Sequence, residues 1–332
     1  MASGVVAAGR PRVGVNWIGV SLVTAAAVLS GLSGVLSRVL LDHGLSAPEL
    51  AQMRLTVCGV VLLAVFRHSV LRLLRDRAVG RAQLVALGVI GMAGLQLCFL
   101  AALRRLDVAL ALLLLYLAPA IVAGWELVVH RRGQRRSVWV CIAIMVLGLA
   151  VALGLGPDTV QRVSVVGVVA GFAAAGCWAY YMVHVERLGR RLAGPGFLAI
   201  SIAVGACALA VVAPVWAVPW GLLDDQVAVS GRPAPVLLVL AGVVVLGTLA
   251  PFMLFLQGLR RIGAGPTSML STLEPVAAAG GAWLLLDQRL TALQLVGGLM
   301  VVLAAAAAQR PTAGPASAAG GQEGVELGRR VG

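Results

Sequence analysis

The sequence Leu103-Arg104-Arg105 returns 156 residues later as Leu259-Arg260-Arg261. At the same offset, Leu117 and Pro119 return as Leu273 and Pro275, and no gap is needed between the two matches. Single leucine identities arise by chance in so apolar a chain, but an arginine pair and a proline held in one register do not. The two stretches therefore mark a duplicated unit, and the chain is expected to fold as two equivalent halves.

The composition is that of an integral membrane protein. Hydrophobic residues make up 60% of the 332, charged residues only 12%, and the mean hydropathy is +0.99. So few charges cannot cover the surface of a soluble domain. A duplicated membrane chain, whose two bundles face each other across a central crevice, is typical of secondary transporters.

The apolar segments predict an all-α fold with ten transmembrane helices. About 20 apolar residues are needed to cross the hydrocarbon layer, and ten segments qualify: 16–41, 47–66, 82–103, 107–129, 138–156, 164–186, 196–216, 235–257, 265–286 and 290–308. Because no strand is expected, a phosphate-binding loop after a strand is not expected either. The predicted organisation is an N-terminal tail at 1–15, five-helix repeats at 16–158 and 159–308, and a disordered tail at 309–332.

The arginines predict how the chain is oriented. All 26 basic residues are arginine, the net charge is +13, and the arginines form short clusters between apolar runs, which indicates topology and not a nucleic-acid partner. If the termini and the even-numbered loops share one side, that side holds 19 arginines; the other holds five, namely Arg104, Arg105, Arg162, Arg232 and Arg289. The arginine-rich side is expected to be cytoplasmic. Both termini are therefore predicted to lie on the cytoplasmic side of the cell membrane.

Five spans per half is an odd number, so the two halves are predicted to run in opposite directions through the membrane. Such an inverted repeat permits alternating access, because the halves can exchange conformations around a shared site.

The five cysteines lie inside apolar segments without metal-type spacing, which predicts neither a disulfide framework nor a metal site. No cofactor is predicted.

Several motifs resemble the EamA family of the drug/metabolite transporter superfamily. They are Pro48 with Arg54 in the second span, Gly176-Cys177-Trp178-Ala179-Tyr180 in the sixth, and Ser271-Thr272-Leu273-Glu274-Pro275-Val276 in the ninth. The last two are also similar to the threonine/homoserine exporter branch of that family. The resemblance extends from about residue 17 to residue 308. It implies export of amino acids or other small metabolites, often driven by the proton gradient.

The sequence departs from the family pattern in two places. Arg131-Arg132 and Asp287-Gln288 stand where the family commonly closes its fourth and ninth helices with Gly-Glu. The first helix carries Ser30-Gly31-Leu32-Ser33-Gly34 where relatives often have a Trp-Gly-x-Asn pattern. Because this second stretch is expected to line the cavity, a relative's substrate does not transfer automatically.

Two charges inside the predicted spans are the main candidate site residues. Glu274 lies nine residues into its span, which at 1.5 Å per residue places it close to the midplane of the membrane. It could face the cavity, where it would bind a substrate amine or exchange a proton, or it could be a structural group beside Pro275. Arg54 could bind a substrate carboxylate, or it could serve as a structural partner of Glu274 or of helix-end carbonyls.

Further candidates are aromatic or uncharged. Trp178 and Tyr181 share a helix face, and Tyr116 lies one turn before Pro119, so these rings could line a cavity or pack the bundle. Gln96 and Ser33 are the remaining polar candidates for substrate binding, although Ser33 could instead serve close helix packing.

These features predict a proton-coupled secondary exporter of an amino acid or similar metabolite, with the lipid bilayer as its surroundings. A drug or other metabolite permease of the same fold is the alternative. An integral-membrane enzyme or a lipid scramblase is disfavoured because no catalytic constellation and no soluble signalling domain is present. The sequence leaves the oligomeric state open between a monomer and a homodimer.

Overall fold

The computed structural model describes residues 16–75, 80–130, 136–152, 164–192, 194–229 and 231–308. The predicted tails at 1–15 and 309–332 lie outside the described residues. Eight helical segments in the described ranges are long and apolar enough to cross a membrane: Trp17–Asp42, Ala47–Val65, Arg81–Leu103, Val108–Trp125, Val165–Val185, Pro195–Val212, Val236–Ile262 and Met269–Leu286. They correspond to the first four and to the sixth to ninth predicted spans.

The predicted fifth and tenth spans each coincide with a shorter apolar helix. Arg136–Ala152 and Ala292–Ala308 have 17 residues each. At 1.5 Å per residue such a helix is about 25 Å long, slightly less than the roughly 30 Å of a typical hydrocarbon layer. The described residues thus contain eight helical segments long and apolar enough to cross a membrane, and a count of ten spans remains a prediction.

The helices are numbered in chain order. They are α1 Trp17–Asp42, α2 Ala47–Val65, α3 Arg67–Arg75, α4 Arg81–Ala86, α5 Leu95–Leu103, α6 Val108–Leu115, α7 Ala118–His130, α8 Arg136–Ala152, α9 Val165–Leu192, α10 Pro195–Val212, α11 Val236–Val244, α12 Ala250–Ile262, α13 Ala264–Ser271, α14 Leu273–Leu286 and α15 Ala292–Ala308. Many large apolar side chains point outward, among them Val211 at 85% exposed, as expected of helices that face lipid.

The expectation that the chain contains no strand is wrong in one loop. Strands β1, Gln226–Val229, and β2, Arg232–Pro235, pair antiparallel, with Gly231 between them at a φ of 73°. Two prolines within β2 make this segment read as irregular in the sequence, because proline donates no ladder hydrogen bond. The ribbon joins α10 to α11 and leaves the helical bundle unchanged.

Local irregularities of the helices repeat at the sequence offset. A π-helical stretch at Leu87–Gly94 joins α4 to α5, and another at Val245–Leu249 joins α11 to α12. The helix breaks at Tyr116–Leu117, and its counterpart breaks at Thr272. Both breaks precede the repeated proline, which has no N–H to donate to the carbonyl four residues earlier. The duplication therefore extends from sequence to backbone conformation.

The two halves interleave. Helix α1 of the first half packs against α12 and α14 of the second, while α9 of the second half packs against α5, α6 and α7 of the first. Helices α2 and α10 pack together, as do α8 and α15. Each contact thus has its counterpart when the halves are exchanged, and the centre of the molecule is built from both.

Candidate functional site

A cavity of about 130 Å³ lies near the helix breaks; four helices of the first half form most of its lining, and Glu274 is the contribution of the second half. Its polar lining comes from Ser30 and Ser33 of α1, Arg54 of α2, Gln96 of α5 and Glu274 of α14. The remaining lining residues are Gly34, Leu95, Phe99, Leu112 and Leu115. Convergent polar groups beside an apolar wall are the usual composition of a small-ligand site.

A larger cavity, of about 440 Å³, lies elsewhere and has a purely apolar lining. It is formed by Leu36, Val229, Ala234, Leu238, Val239, Ala241, Gly242, Val245 and Leu246, beside the β-ribbon. With no polar side chain it offers nothing to orient a polar metabolite. The smaller cavity is therefore the candidate site.

Glu274 lies in the first turn of α14 and is held by two hydroxyl groups. Ser30 Oγ donates to Glu274 Oε1 at 2.6 Å, and the hydroxyl oxygen of Tyr116 lies 3.2 Å from Glu274 Oε2. The approach of α1 that brings Ser30 this close depends on Gly31, because a Cβ there would lie 2.5 Å from the Glu274 backbone oxygen. Small residues permit such close helix packing in membranes.

Arg54 is only 7% exposed and is not paired with a carboxylate among the described residues. Its Nη2 donates to Thr248 Oγ1 at 3.1 Å, and its Nε has no hydrogen-bond partner. The direct ion pair with Glu274, one of the two interpretations of the sequence, is not formed in this structure. A buried guanidinium without a counter-charge is costly, so an anionic group that bound to Arg54 would be stabilised there.

Ser33 adds another unsatisfied polar group to the cavity. It is 2% exposed, and its Oγ has no hydrogen-bond partner. Gln96, on α5, contributes an amide to the same lining and is partly buried. Four of the predicted site residues, Glu274, Arg54, Gln96 and Ser33, therefore line one cavity, and Tyr116 contacts Glu274 behind it. Whether they bind substrate remains a prediction.

The two aromatic candidates on α9 lie elsewhere. Trp178 and Tyr181 stack with ring centroids 5.7 Å apart and an interplanar angle of 11°. Tyr181 is 7% exposed and lies near Phe197, and Trp178 packs partly against Ala118 and neighbouring alanines. Neither ring belongs to the lining of the polar cavity. In this conformation they contribute to packing between helices, and their contact with substrate stays a prediction.

Two residues at the site were not among the predicted site residues. Ser30 binds Glu274, and Thr248, in the π-helical stretch between α11 and α12, binds Arg54. Ser30, Ser33, Gly34 and Ser37 follow one another at helical spacing along α1; this spacing marks one face of the helix but does not single out Ser30. Thr248 carries no such signal. Among the described residues no group of three or more His, Cys, Asp or Glu could hold a metal.

A duplicated helical bundle in which a basic and an acidic side chain line one cavity is typical of a membrane transporter of small molecules. One family model matches the chain twice, at residues 17–154 and at residues 165–308. The protein belongs to the EamA-like transporter family, which confirms the predicted family and means that it is a multi-span membrane transporter and not an enzyme.

Similar proteins come from bacteria and archaea. The chain is 28% identical over 284 residues to the uncharacterized inner membrane transporter YicL of Salmonella typhimurium, an alignment that covers 84% of this chain and 91% of YicL. It is 29% identical to the threonine/homoserine exporter RhtA of Escherichia coli K12, covering 75% and 77% of the two chains. An uncharacterized transporter of Archaeoglobus fulgidus is 26% identical, with 68% and 76% covered.

The fold also has a counterpart among solved structures. A protein of known crystal structure matches with a TM-score of 0.57, covering 87% of this chain and 96% of the other. The sequences are 18% identical, so the likeness concerns the fold alone.

Proposed function

We propose that this transporter exports an amino acid, or a metabolite of similar size and charge, in exchange for protons by alternating access. One observation carries the proposal: a buried cation, Arg54, and a partly buried carboxyl group, Glu274, line the same cavity without forming an ion pair. A zwitterionic substrate presents the complementary pair of charges, its carboxylate for Arg54 and its amine for Glu274. A guanidinium is well suited to a carboxylate because it can form two parallel hydrogen bonds.

The size of the cavity favours a small metabolite over a drug. Its volume of about 130 Å³ is well below the roughly 300–1,000 Å³ of pockets that hold drug-sized ligands. The similarity to RhtA, whose name describes a threonine/homoserine exporter, points to the same substrate class. The apolar wall of Leu95, Phe99, Leu112 and Leu115 would contact the aliphatic part of the substrate.

The proposed topology is ten spans in two inverted halves with both termini in the cytoplasm. It is supported by the arginine distribution, by the repeated π-helical stretches and breaks, and by the interleaved packing of the halves. In this arrangement the cavity is formed by the first half together with Glu274 of the second, and exchange of conformations between the halves would open it alternately to either side. Glu274 would carry the proton, since a carboxyl group within the membrane is a functional group by default.

The proposal is tested with membrane vesicles turned inside out, whose lumen corresponds to the cell exterior. With an acidic lumen they should accumulate radiolabelled threonine or homoserine, and a protonophore should abolish the accumulation. Binding is tested separately by thermal unfolding: a ligand at 100 times its Kd should add about 2.7 kcal/mol of apparent stability. The amino acid should stabilise the purified protein more than either its decarboxylated amine or its deaminated acid. The proposal would be contradicted if the amino acid, the amine and the acid all failed to stabilise the protein, or if accumulation did not depend on the proton gradient.

A further inference from the structure

Tyr116 links the helix breaks of the two halves. It lies at the break between α6 and α7, and its hydroxyl reaches the carbonyl oxygen of Ser271 at 2.5 Å, next to the break between α13 and α14. The Ser271 carbonyl has no helical donor because the residue four positions later is Pro275. The side chain of Tyr116 thus satisfies, from the other half, a backbone group that the proline leaves unpaired.

The same hydroxyl also contacts Glu274. Its oxygen is 3.2 Å from Glu274 Oε2 and 2.5 Å from the Ser271 carbonyl. A phenol has one hydrogen to donate. The contact to Ser271 is the shorter of the two, so it is the favoured acceptor of that hydrogen while Glu274 is neutral. The contact between Tyr116 and Glu274 then needs its hydrogen from the carboxyl group.

While Glu274 is neutral, the hydrogen bonds can form a directed chain. A neutral Glu274 can donate from Oε2 to the Tyr116 oxygen while Tyr116 donates to the Ser271 carbonyl, whereas an ionised Glu274 accepts from Tyr116. The other carboxyl oxygen, Oε1, accepts from Ser30 at 2.6 Å, as the carbonyl oxygen of a neutral acid would. When Glu274 loses its proton it can only accept, and the hydrogen of Tyr116 must turn towards it.

We infer that Tyr116 transmits the protonation state of Glu274 to the helix break: it binds the Ser271 carbonyl while Glu274 is neutral and releases that carbonyl when Glu274 is ionised. The freed carbonyl has no donor from its own helix, so the junction of α13 and α14 loosens in the ionised state. This inference rests on the proposed proton coupling and adds a route from the proton to the backbone. Tyr116 is accordingly a positioning residue, a role different from substrate contact.

Few other titratable groups surround this chain of hydrogen bonds. Arg54 faces the cavity from α2, and α1 carries Arg38 and Asp42 towards its far end, where they pair with each other at 2.8 Å. Helices α6 and α13, which also pack on α14, have no charged residue. Cys141 lies in the apolar cluster beside the ring of Tyr116. Among the described residues around this chain of hydrogen bonds, Glu274 is thus the acid whose protonation state would change them.

Infrared difference spectra of the purified, substrate-free protein at neutral pH test the inference. Wild type minus Glu274→Gln should contain the carbonyl stretching band of a protonated carboxyl group. In Tyr116→Phe that band should shift to higher frequency because its hydrogen-bond acceptor is lost. Tyr180→Phe is the matched control, since the ring of Tyr180 packs at a tilt against His184 in α9, and it should leave the band in place. No carboxyl band in the first difference spectrum, or an unshifted band in Tyr116→Phe, overturns the inference.

The loosening of the break is measured by alkylation of Thr272→Cys in a background without the native cysteines. Thr272 is 6% exposed, so the reaction reports opening of the junction. Tyr116→Phe should speed alkylation several-fold, while Glu274→Gln should not, because its amide donates to Tyr116 as the neutral acid does. Equal rates in Tyr116→Phe and Tyr180→Phe would refute the link. Neither measurement needs substrate, so a negative result here is distinct from failure of transport in vesicles.

Discussion

Arg54 and Glu274 line one cavity but do not bind each other; the guanidinium group donates instead to Thr248, and the carboxyl group accepts from Ser30. Opposite charges inside a membrane protein usually pair, because each is costly alone. Their separation leaves room for a ligand that interacts with both. It also keeps Glu274 free to change its protonation state, since a tight ion pair with Arg54 would hold it ionised.

Arg54→Gln should remove recognition of a substrate carboxylate. Hydrogen bonds to charged groups contribute about 1.5–3 kcal/mol, so affinity for an amino acid should fall about 10- to 100-fold. Affinity for the corresponding decarboxylated amine should change much less. Both are measured by ligand-induced stabilisation of the purified protein, with Arg104→Gln, an exposed arginine, as the control. An equal loss for the amine and the amino acid would mean that Arg54 has a structural role only.

Gly31→Ala should separate α1 from α14. The added Cβ would lie 2.5 Å from the Glu274 carbonyl oxygen and 2.8 Å from the Ala278 nitrogen, and backbone atoms cannot yield as a flexible side chain can. Forced overpacking costs about 1–3 kcal/mol, so the thermal unfolding midpoint in detergent should fall. Transport should fall with it, because Ser30 is carried away from Glu274.

The matched control for Gly31 is Gly280→Ala on α14, where a Cβ would meet nothing within 4 Å. This variant should unfold at or above the wild-type temperature, since alanine favours a helix by up to about 1 kcal/mol relative to glycine. If both variants behave alike, the close approach of α1 and α14 does not position Glu274.

The two charged site residues could be found from the sequence because charge inside an apolar segment is expensive and therefore conspicuous. The breaks could be anticipated from Pro119 and Pro275, which remove a helical hydrogen bond. Ser30 and Thr248 could not be ranked in the same way, because a hydroxyl group in a membrane helix can bond to its own backbone at little cost. Ser37 and Ser201 do so here, and such serines look the same in sequence as Ser30.

Other features depend on contacts between distant segments. The residue types of the π-helical stretches at Leu87–Gly94 and Val245–Leu249 do not distinguish them from ordinary α-helix. Thr248 lies opposite Arg54 only because of the fold, so their contact could not be predicted from the sequence. Trp178 and Tyr181 were correctly expected to share a helix face, as their stacking shows, but periodicity alone does not say whether that face meets a cavity or another helix.

The proposed inverted topology predicts the side on which each loop lies. Single cysteines introduced at Ser46 and Asp225, in a background without the native cysteines, should react with a membrane-impermeant thiol reagent in intact cells. A cysteine at Arg81 or Arg261 should react only after the membrane is opened, because the arginine-rich side is expected to be cytoplasmic. Asp225 is the decisive position, since it precedes the β-ribbon between α10 and α11. Protection of Asp225→Cys in intact cells would rule out the ten-span inverted arrangement.

Glu274→Gln should separate substrate exchange from proton-driven transport. The amide keeps the size of the side chain and can still bond to Ser30 and Tyr116, so the variant should insert and fold like the wild type. Because it cannot titrate, uphill transport driven by a pH gradient should be lost, while exchange of labelled for unlabelled substrate should persist at higher substrate concentrations, since glutamine lacks the charge that would bind the substrate amine. Glu274→Asp retains a titratable group on a shorter side chain and should keep part of the uphill activity.

The measurement is accumulation in inside-out vesicles over a series of lumenal pH values, set beside exchange in the same vesicles at equal pH. If the glutamine variant accumulates substrate at the wild-type rate and with the same pH dependence, Glu274 does not carry the proton, and the hydrogen bonds to Ser30 and Tyr116 serve the structure of the helix break alone.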